Sequence, residues 1–204
     1  MKLKNMPLLS LTSIILIGLS GCAKYSARPI KPIVTVGQSA ENSIAFSYKV
    51  FNTVECKRYL GRNALAKGYQ PIQVTITNNT NHYFNISPSS FSCNCLDPEE
   101  VAENMHSSTV GRAVGYGVPA FLLFPILAIP AIVDGIGSSK ANHRLDDDYA
   151  QKSLSEETIA PYTTINGVIF VSRGEYTDNI TVTLADGASN KRYTLSKIKP
   201  VLQV

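Results

Sequence analysis

Cysteine offers the widest choice of chemistry among the residues of this chain, whose 204 residues contain four cysteines. Cys93 and Cys95 are separated by one residue, Cys56 precedes them, and Cys22 stands near the amino end. A thiolate can act as a nucleophile, bind a soft metal ion or take part in a disulfide. The surroundings of each cysteine in the sequence therefore indicate which of these roles it has.

Residues 1–21 have the three parts of a secretory signal. Two lysines give a positive start, and the apolar run Leu8–Leu19 is too short to span a bilayer comfortably. The sequence LSGC, which ends at Cys22, places an aliphatic residue and two small residues before a cysteine. This order resembles the lipobox of bacterial lipoproteins. The alternative is an ordinary cleaved signal that is followed by a cysteine by chance.

The resemblance implies a lipid anchor at Cys22. In bacterial lipoproteins this cysteine receives a diacylglyceryl group, the signal is cut before it, and the new amino end is acylated. Three acyl chains hold firmly where one holds only marginally. We therefore expect residues 22–32 to be a lipidated, proline-bearing tether.

The same resemblance predicts a location in the cell envelope. The residue after the anchor is Ala23 and not aspartate, which by the lipoprotein sorting rule favours the outer membrane, facing the periplasm. The inner membrane is the alternative. The whole chain is also similar to uncharacterised bacterial lipoproteins in which a hydrophobic stretch interrupts a strand-rich domain.

The other three cysteines are an odd number in an oxidising compartment. One disulfide and one free thiol is the simplest outcome. A bridge from Cys56 to Cys93 or Cys95 would tie a helix to the end of a strand, whereas a bond between Cys93 and Cys95 would be strained. The histidines have no metal-site spacing, so we expect no metal and no cofactor.

No catalytic motif accompanies these thiols. The chain contains no HExxH, GxSxG or P-loop sequence, and no base can be assigned to an unpaired thiol. The net charge of +4 includes no basic block of the kind that binds nucleic acid. We therefore expect neither an enzyme nor a nucleic-acid-binding protein.

The elements that hold these residues are mostly strands. Apolar residues alternate in 44–50, 72–76 and 180–184, which is the period of a half-buried strand. Further strands are expected over 33–36, 83–92, 168–171 and 193–198, giving about seven. This number of short strands predicts a mainly β fold, an immunoglobulin-like antiparallel β-sandwich with residues 33–96 and 158–204 as its two parts.

Three helices are expected beside the strands. Asn52, with a glutamate three residues later, forms a capping box for a short helix that Gly61 ends. Asp97 caps a second helix, with proline at its first position and acidic residues after it. The aspartates 146–148 predict the start of a third helix, which would run through Leu154.

Residues 97–157 are expected to be a helical and hydrophobic insertion, and its centre, 113–133, contains 21 residues without a charge. As a helix it would be roughly 31 Å long, close to a bilayer core of about 30 Å. Its prolines favour a kinked helix or a re-entrant hairpin over a straight rod. The favoured interpretation is that 113–133 spans or enters a bilayer, and the alternatives are burial in its own domain or cover by a partner.

Small residues recur every four positions just before and within this segment, a pattern of close helix contact. The alternative is that its glycines only provide flexibility. The residues expected at the membrane or helix contact are Ser107, Gly111, Gly115, Pro119, Phe121, Leu122, Phe124, Pro125 and Pro130.

Two hypotheses of function follow from the anchor and this segment. In the first, the chain is a lipid-anchored envelope protein with a structural or protein-interaction role at the membrane. Its partners would be the membrane itself and another envelope protein or a second copy. In the second, it is a tethered periplasmic module whose apolar segment lines a pocket for a lipid or another apolar ligand.

Overall fold

The computed structural model describes residues 25–34, 43–106 and 128–196, and for residues 128–138 the backbone only. The chain divides into two compact units. One contains Met1–Tyr25 and His106–Arg144, and the other contains Ser26–Met105 and Leu145–Val204. Every strand described below belongs to the second unit, which is called the β-domain here.

The β-domain contains eight strands within the described ranges. In chain order they are β1 (Ile44–Val50), β2 (Tyr69–Asn78), β3 (Phe84–Ile86), β4 (Cys95–Leu96), β5 (Glu157–Ile159), β6 (Thr164–Ser172), β7 (Thr181–Asp186) and β8 (Arg192–Ser196). The α-helices of the same ranges are α1 (Thr53–Tyr59), α2 (Pro98–Asn104) and α3 (Ala128–Lys152). Two short 3-10 helices cover Ala64–Lys67 and Pro88–Ser90.

The strands pair into two antiparallel four-stranded sheets. Sheet A has the order β1-β2-β6-β4, and sheet B has the order β5-β3-β7-β8. Sheet A combines strands that precede the helical insertion with β6, which follows it. The two parts of the chain therefore build one domain, as the alternating patterns predicted.

The core lies between the sheets. On β2 the alternating residues Ile72, Val74 and Ile76 are fully buried, and they share one apolar cluster with Val182 and Leu184 of β7. The period-two pattern thus directs every second side chain of each sheet toward the other sheet. This arrangement confirms the predicted mainly β fold with two antiparallel sheets, whereas its finer immunoglobulin-like class stays a prediction.

The outer face of sheet A is also buried. The register pairs Ile72 with Ile169 on the core face and Pro71 with Phe170 on the outer face. The Phe170 ring stacks on the Tyr149 ring of α3, with centroids 5.5 Å apart and planes 3° from parallel. Burial on both faces explains why residues 168–171 are continuously apolar instead of alternating.

Both predicted caps are confirmed. The Asn52 side chain accepts hydrogen bonds from the amides of Val54 (2.9 Å) and Glu55 (3.0 Å), and Glu55 accepts from the Asn52 amide (3.1 Å). The Asp97 side chain accepts from the Glu99 amide (2.9 Å) at the start of α2. Local spacing therefore predicted these helix starts correctly.

The third predicted helix begins in the wrong place. It starts at Ala128 and not at the aspartates 146–148, which lie within its last turns, and it ends at Lys152 before Leu154. The polar stretch 135–142 lies inside this helix, since each of its glycines costs a helix only about 1 kcal/mol. The Leu154 amide instead donates to the Val168 carbonyl (3.0 Å), which carries the chain back to sheet A.

Two predicted strands differ from the structure where it describes them. Ile33 and Val34 have no strand pairing, and residues 35–36 lie outside the described ranges. The expected strand 83–92 is only Phe84–Ile86, because Pro88 opens a 3-10 turn. Proline fixes its own φ and cannot donate to a ladder, so this strand ends before it.

The Tyr149 hydroxyl generates a stability prediction, because it is buried without a hydrogen-bond partner among the described residues. Burial also raises the pKa of Tyr149. We expect Tyr149→Phe to leave the free energy of unfolding unchanged or raise it by about 1 kcal/mol, since the ring still stacks and an unsatisfied group is removed. Urea unfolding followed by circular dichroism measures this.

The matched control is Tyr48→Phe, because the Tyr48 hydroxyl donates to the Asp178 carbonyl. Losing that hydrogen bond is expected to lower the free energy of unfolding by about 1 kcal/mol. A Tyr149→Phe variant that is less stable than Tyr48→Phe would contradict the assignment of an unsatisfied hydroxyl.

Candidate functional site

The structure describes only part of the predicted site residues. Cys22 and residues 107–127 lie outside the described ranges, so the expected anchor and most of segment 113–133 do too. Pro130 lies on the backbone of α3. Among the helices that the structure describes, none is long and apolar enough to cross a membrane.

The predicted bridge from Cys56 is not formed, since Cys56, Cys93 and Cys95 are all free thiols. Cys56 lies on α1 and is fully buried outside the sandwich core, whereas Cys93 and Cys95 pack against that core. The cysteines of the expected bridge thus belong to different apolar layers. Burial raises the pKa of the Cys56 thiol, against the opposing effect of the Leu65 and Ala64 backbone amides.

Cys93 and Cys95 lie together at the edge of sheet A. Both are partly exposed, and their thiols are close enough to shift each other's pKa. The Cys95 sulfur also lies 3.9 Å from the Cys93 carbonyl oxygen. The two thiols are therefore a pair in contact, which we call the thiol pair.

The backbone on each side of the thiol pair is held by a different sheet. Before the pair, Phe91 bridges to Val182 of sheet B, and the Ser92 amide donates to the Thr181 carbonyl (3.0 Å). After it, β4 pairs with β6 of sheet A, with Cys95 opposite Val171. The thiol pair is thus located where the chain crosses from one sheet to the other.

The interaction between the two thiols shifts their pKa values in opposite directions. The hydrogen bond from the Cys95 thiol stabilises the Cys93 thiolate and lowers the pKa of Cys93 from 9.0 to about 7. The same hydrogen bond, together with burial, raises the pKa of Cys95. At neutral pH a large fraction of Cys93 is therefore thiolate while Cys95 stays protonated, which supplies the nucleophile that thiol–disulfide exchange requires.

The amino-terminal segment, residues 28–33, is bound to the β-domain. Gln73 and Thr75 are buried polar residues on the outer face of β2. Gln73 Nε2 donates to the Lys31 carbonyl (2.6 Å), and the Ile33 amide donates to Thr75 Oγ1 (3.0 Å). The Arg28 amide donates to the Arg58 carbonyl (2.8 Å). The second half of the expected tether over 22–32 is therefore docked on the β-domain.

A groove of about 350 Å³ runs beside this docked segment. Lys152 Nζ donates there to Asp148 Oδ2 (2.6 Å) and to the Tyr59 carbonyl (2.7 Å). The groove is lined by Ala27, Pro29, Ile30, Asp148, Gln151, Lys152 and Asn166. Four of these seven side chains are polar or charged, and the lysine and the aspartate already bind each other.

Comparison with known proteins gives no relative, since no family model, curated protein or solved structure matches the chain. Within the described ranges, no three His, Cys, Asp or Glu side chains are grouped so that they could hold a metal ion. The thiol pair is a reactive arrangement that the sequence analysis did not predict. The CxC spacing of Cys93 and Cys95 in the sequence indicates such a pair. Because a bond between them was expected to be strained, a bridge from Cys56 was predicted instead.

The thiol pair predicts an unusual pH dependence of alkylation. The rate at which iodoacetamide modifies Cys93 is expected to rise with a midpoint near pH 7, because Cys95 stabilises the thiolate. Replacing Cys95 with alanine is expected to move that midpoint up toward 9, the ordinary value, because alanine cannot donate a hydrogen bond to the Cys93 thiolate. Mass spectrometry of the peptide containing Cys93 measures both rates.

Cys56 is the internal control, since its buried thiol is expected to react only after unfolding. Equal midpoints for Cys93 in the original chain and in Cys95→Ala would contradict the stabilisation of the Cys93 thiolate by Cys95.

Proposed function

We propose that the chain is a lipid-anchored protein of the bacterial cell envelope with a structural or protein-interaction role at the membrane. The sequence LSGC at Cys22, after a positive start and a short apolar run, carries this proposal. In it, Cys22 is the acylated residue, and Ala23 favours the outer membrane over the inner one.

The docked amino-terminal segment supports a role close to the membrane. From Arg28 onward the segment is hydrogen-bonded to the β-domain, and six residues lead from Cys22 to Arg28. At most about 3.6 Å of extended chain per residue allows a reach of about 20 Å. An acylated Cys22 would therefore keep the domain beside the lipid headgroups, where it could contact other envelope proteins.

Two exposed tyrosines support a protein-interaction role. Tyr83 and Tyr162 lie on loops that Asn78 fastens together, because Asn78 Nδ2 donates to the carbonyls of His82 (2.7 Å) and Ala160 (3.0 Å). Asn78 is fully buried, so this connection is well shielded from water. Tyrosine is enriched at protein interfaces because its ring offers both apolar area and a polar hydroxyl.

The uncharged segment 113–133 supports a second contact with the membrane in this proposal, with Pro119 and Pro125 permitting a re-entrant path. The alternative of a periplasmic module for an apolar ligand has weaker support. The groove beside the docked segment is lined mainly by polar and charged groups, whereas sites for apolar ligands are lined mainly by apolar ones.

Metabolic labelling with a palmitate analogue tests the anchor. The original chain is expected to be labelled, with a mature amino terminus at residue 22, and Cys22→Ser is expected to lose the label completely. Ala23→Ser is the matched control, because it changes the next residue, keeps the cysteine and is expected to keep the label. An unlabelled original chain, or a mature terminus elsewhere, would contradict the proposal.

Fractionation of cells that carry Cys22→Ser tests the second contact separately. Without acyl chains, the protein is expected to stay in the membrane fraction through a carbonate wash if 113–133 enters the bilayer. Release by carbonate would show that this contact is peripheral, and the membrane-entering role of the segment would then be wrong while the anchor could still hold.

A further inference from the structure

The thiol pair combines three properties that structural cysteines lack together. Cys95 Sγ lies 3.9 Å from the Cys93 carbonyl oxygen, both residues reach solvent, and β4 is an edge strand of sheet A. Cys56 differs from them because it is fully buried. A large reactant such as another protein could therefore approach Cys93 and Cys95 but not Cys56.

The backbone around the thiol pair resists rearrangement. A disulfide requires sulfurs about 2.05 Å apart and a dihedral angle near 90°, with little tolerance on either. Phe91 and Ser92 are held by sheet B, and Cys95 and Leu96 are held by sheet A, so any adjustment falls on Cys93 and Asn94. A bond between Cys93 and Cys95 would therefore be less stable in the folded domain than in a relaxed peptide.

A strained, accessible disulfide is a more oxidising one. We infer that Cys93 and Cys95 form a redox pair that exchanges two electrons with an external disulfide or its reduced dithiol. The ligand class is therefore a sulfur compound, either a small thiol or a cysteine pair of another protein. The inference is independent of the proposed lipid anchor, since it depends only on the β-domain.

The exchange proceeds in two balanced steps. The Cys93 thiolate attacks one sulfur of an external disulfide, so that a mixed disulfide forms and one external thiolate leaves. Cys95 then gives its proton to water, its sulfur attacks Cys93 Sγ, and the second external thiolate leaves. The two cysteines are oxidised by two electrons and the external disulfide is reduced to two thiols. The reverse sequence oxidises an external dithiol.

The environment assigns different roles to the two cysteines. The pKa of Cys93, lowered to about 7, makes it the attacking thiolate at neutral pH. The raised pKa of Cys95 keeps it protonated until the mixed disulfide forms and removes the charge from Cys93. Cys95 is therefore the resolving thiol.

Redox titration of the purified full chain in glutathione buffers tests the inference. Samples are quenched with acid and alkylated, and each cysteine peptide is measured by mass spectrometry. Cys93 and Cys95 are expected to lose their free thiols together, with the slope of a two-electron couple. Half of the folded pair is expected to be reduced at a certain [GSH]²/[GSSG] ratio. That ratio is expected to be at least about tenfold smaller than the ratio at which half of the same pair is reduced in urea.

A second arm uses a reduced dithiol peptide in place of glutathione. The oxidised chain is expected to convert about one peptide to its disulfide per chain, which distinguishes a pair able to act on proteins from one restricted to a small thiol. Oxidation of glutathione alone would limit the ligand class to small thiols and would overturn the protein-directed half of the inference.

The control variants separate redox chemistry from folding. Cys56→Ala is expected to give the same transition as the original chain, and Cys95→Ser is expected to stop at a mixed disulfide with glutathione, with both variants checked for cooperative unfolding. A disulfide that involves Cys56, no disulfide at any glutathione ratio, or equal midpoints in folded and unfolded chains would overturn the inference.

Discussion

Sheet A has to be covered on both of its faces, and the rest of the domain depends on this constraint. Its inner face forms the sandwich core with sheet B through residues such as Ile76. Its outer face has an apolar part around Phe170, which the Tyr149 ring covers, and a polar part around Gln73, which the docked segment covers. Without Tyr149, the Phe170 ring would expose apolar area to water. Without the docked segment, the Gln73 side-chain amide would lose a hydrogen bond. The helical insertion must therefore return to the sheet, and the amino-terminal segment cannot extend freely from the domain.

The same constraint shows how much the sequence could predict. The alternation of β2 and the capping box at Asn52 were correct because both depend on residues within a few positions of each other. The docked segment was missed because its hydrogen bonds join residues 42 positions apart, as between Lys31 and Gln73. The start of helix α3 was placed too late, because the aspartates 146–148 are typical of a first helical turn. Its last turns are instead fixed by contacts with sheet A that no local pattern reveals.

The cysteines illustrate the difference between counting residues and locating them. The sequence contains three thiols after Cys22, and the number alone favoured one long-range bridge. The layered fold instead separates Cys56, which lies outside sheet A, from Cys93 and Cys95, which face the sandwich core. A close CxC pair then results from the crossing between the sheets, and its chemistry follows from that position.

Amide hydrogen exchange of the full chain, followed by mass spectrometry, tests the covering of sheet A most directly. Slow exchange is expected in β2 and β6, together with protection of the amides of Arg28 and Ile33, because these donate to the Arg58 carbonyl and to Thr75 Oγ1. Gln73→Ala is expected to accelerate exchange in residues 28–33 while leaving β7 unchanged. If residues 28–33 of the original chain exchange at the rate of a free peptide while β2 and β6 stay protected, the docked segment does not cover the sheet and the account is contradicted.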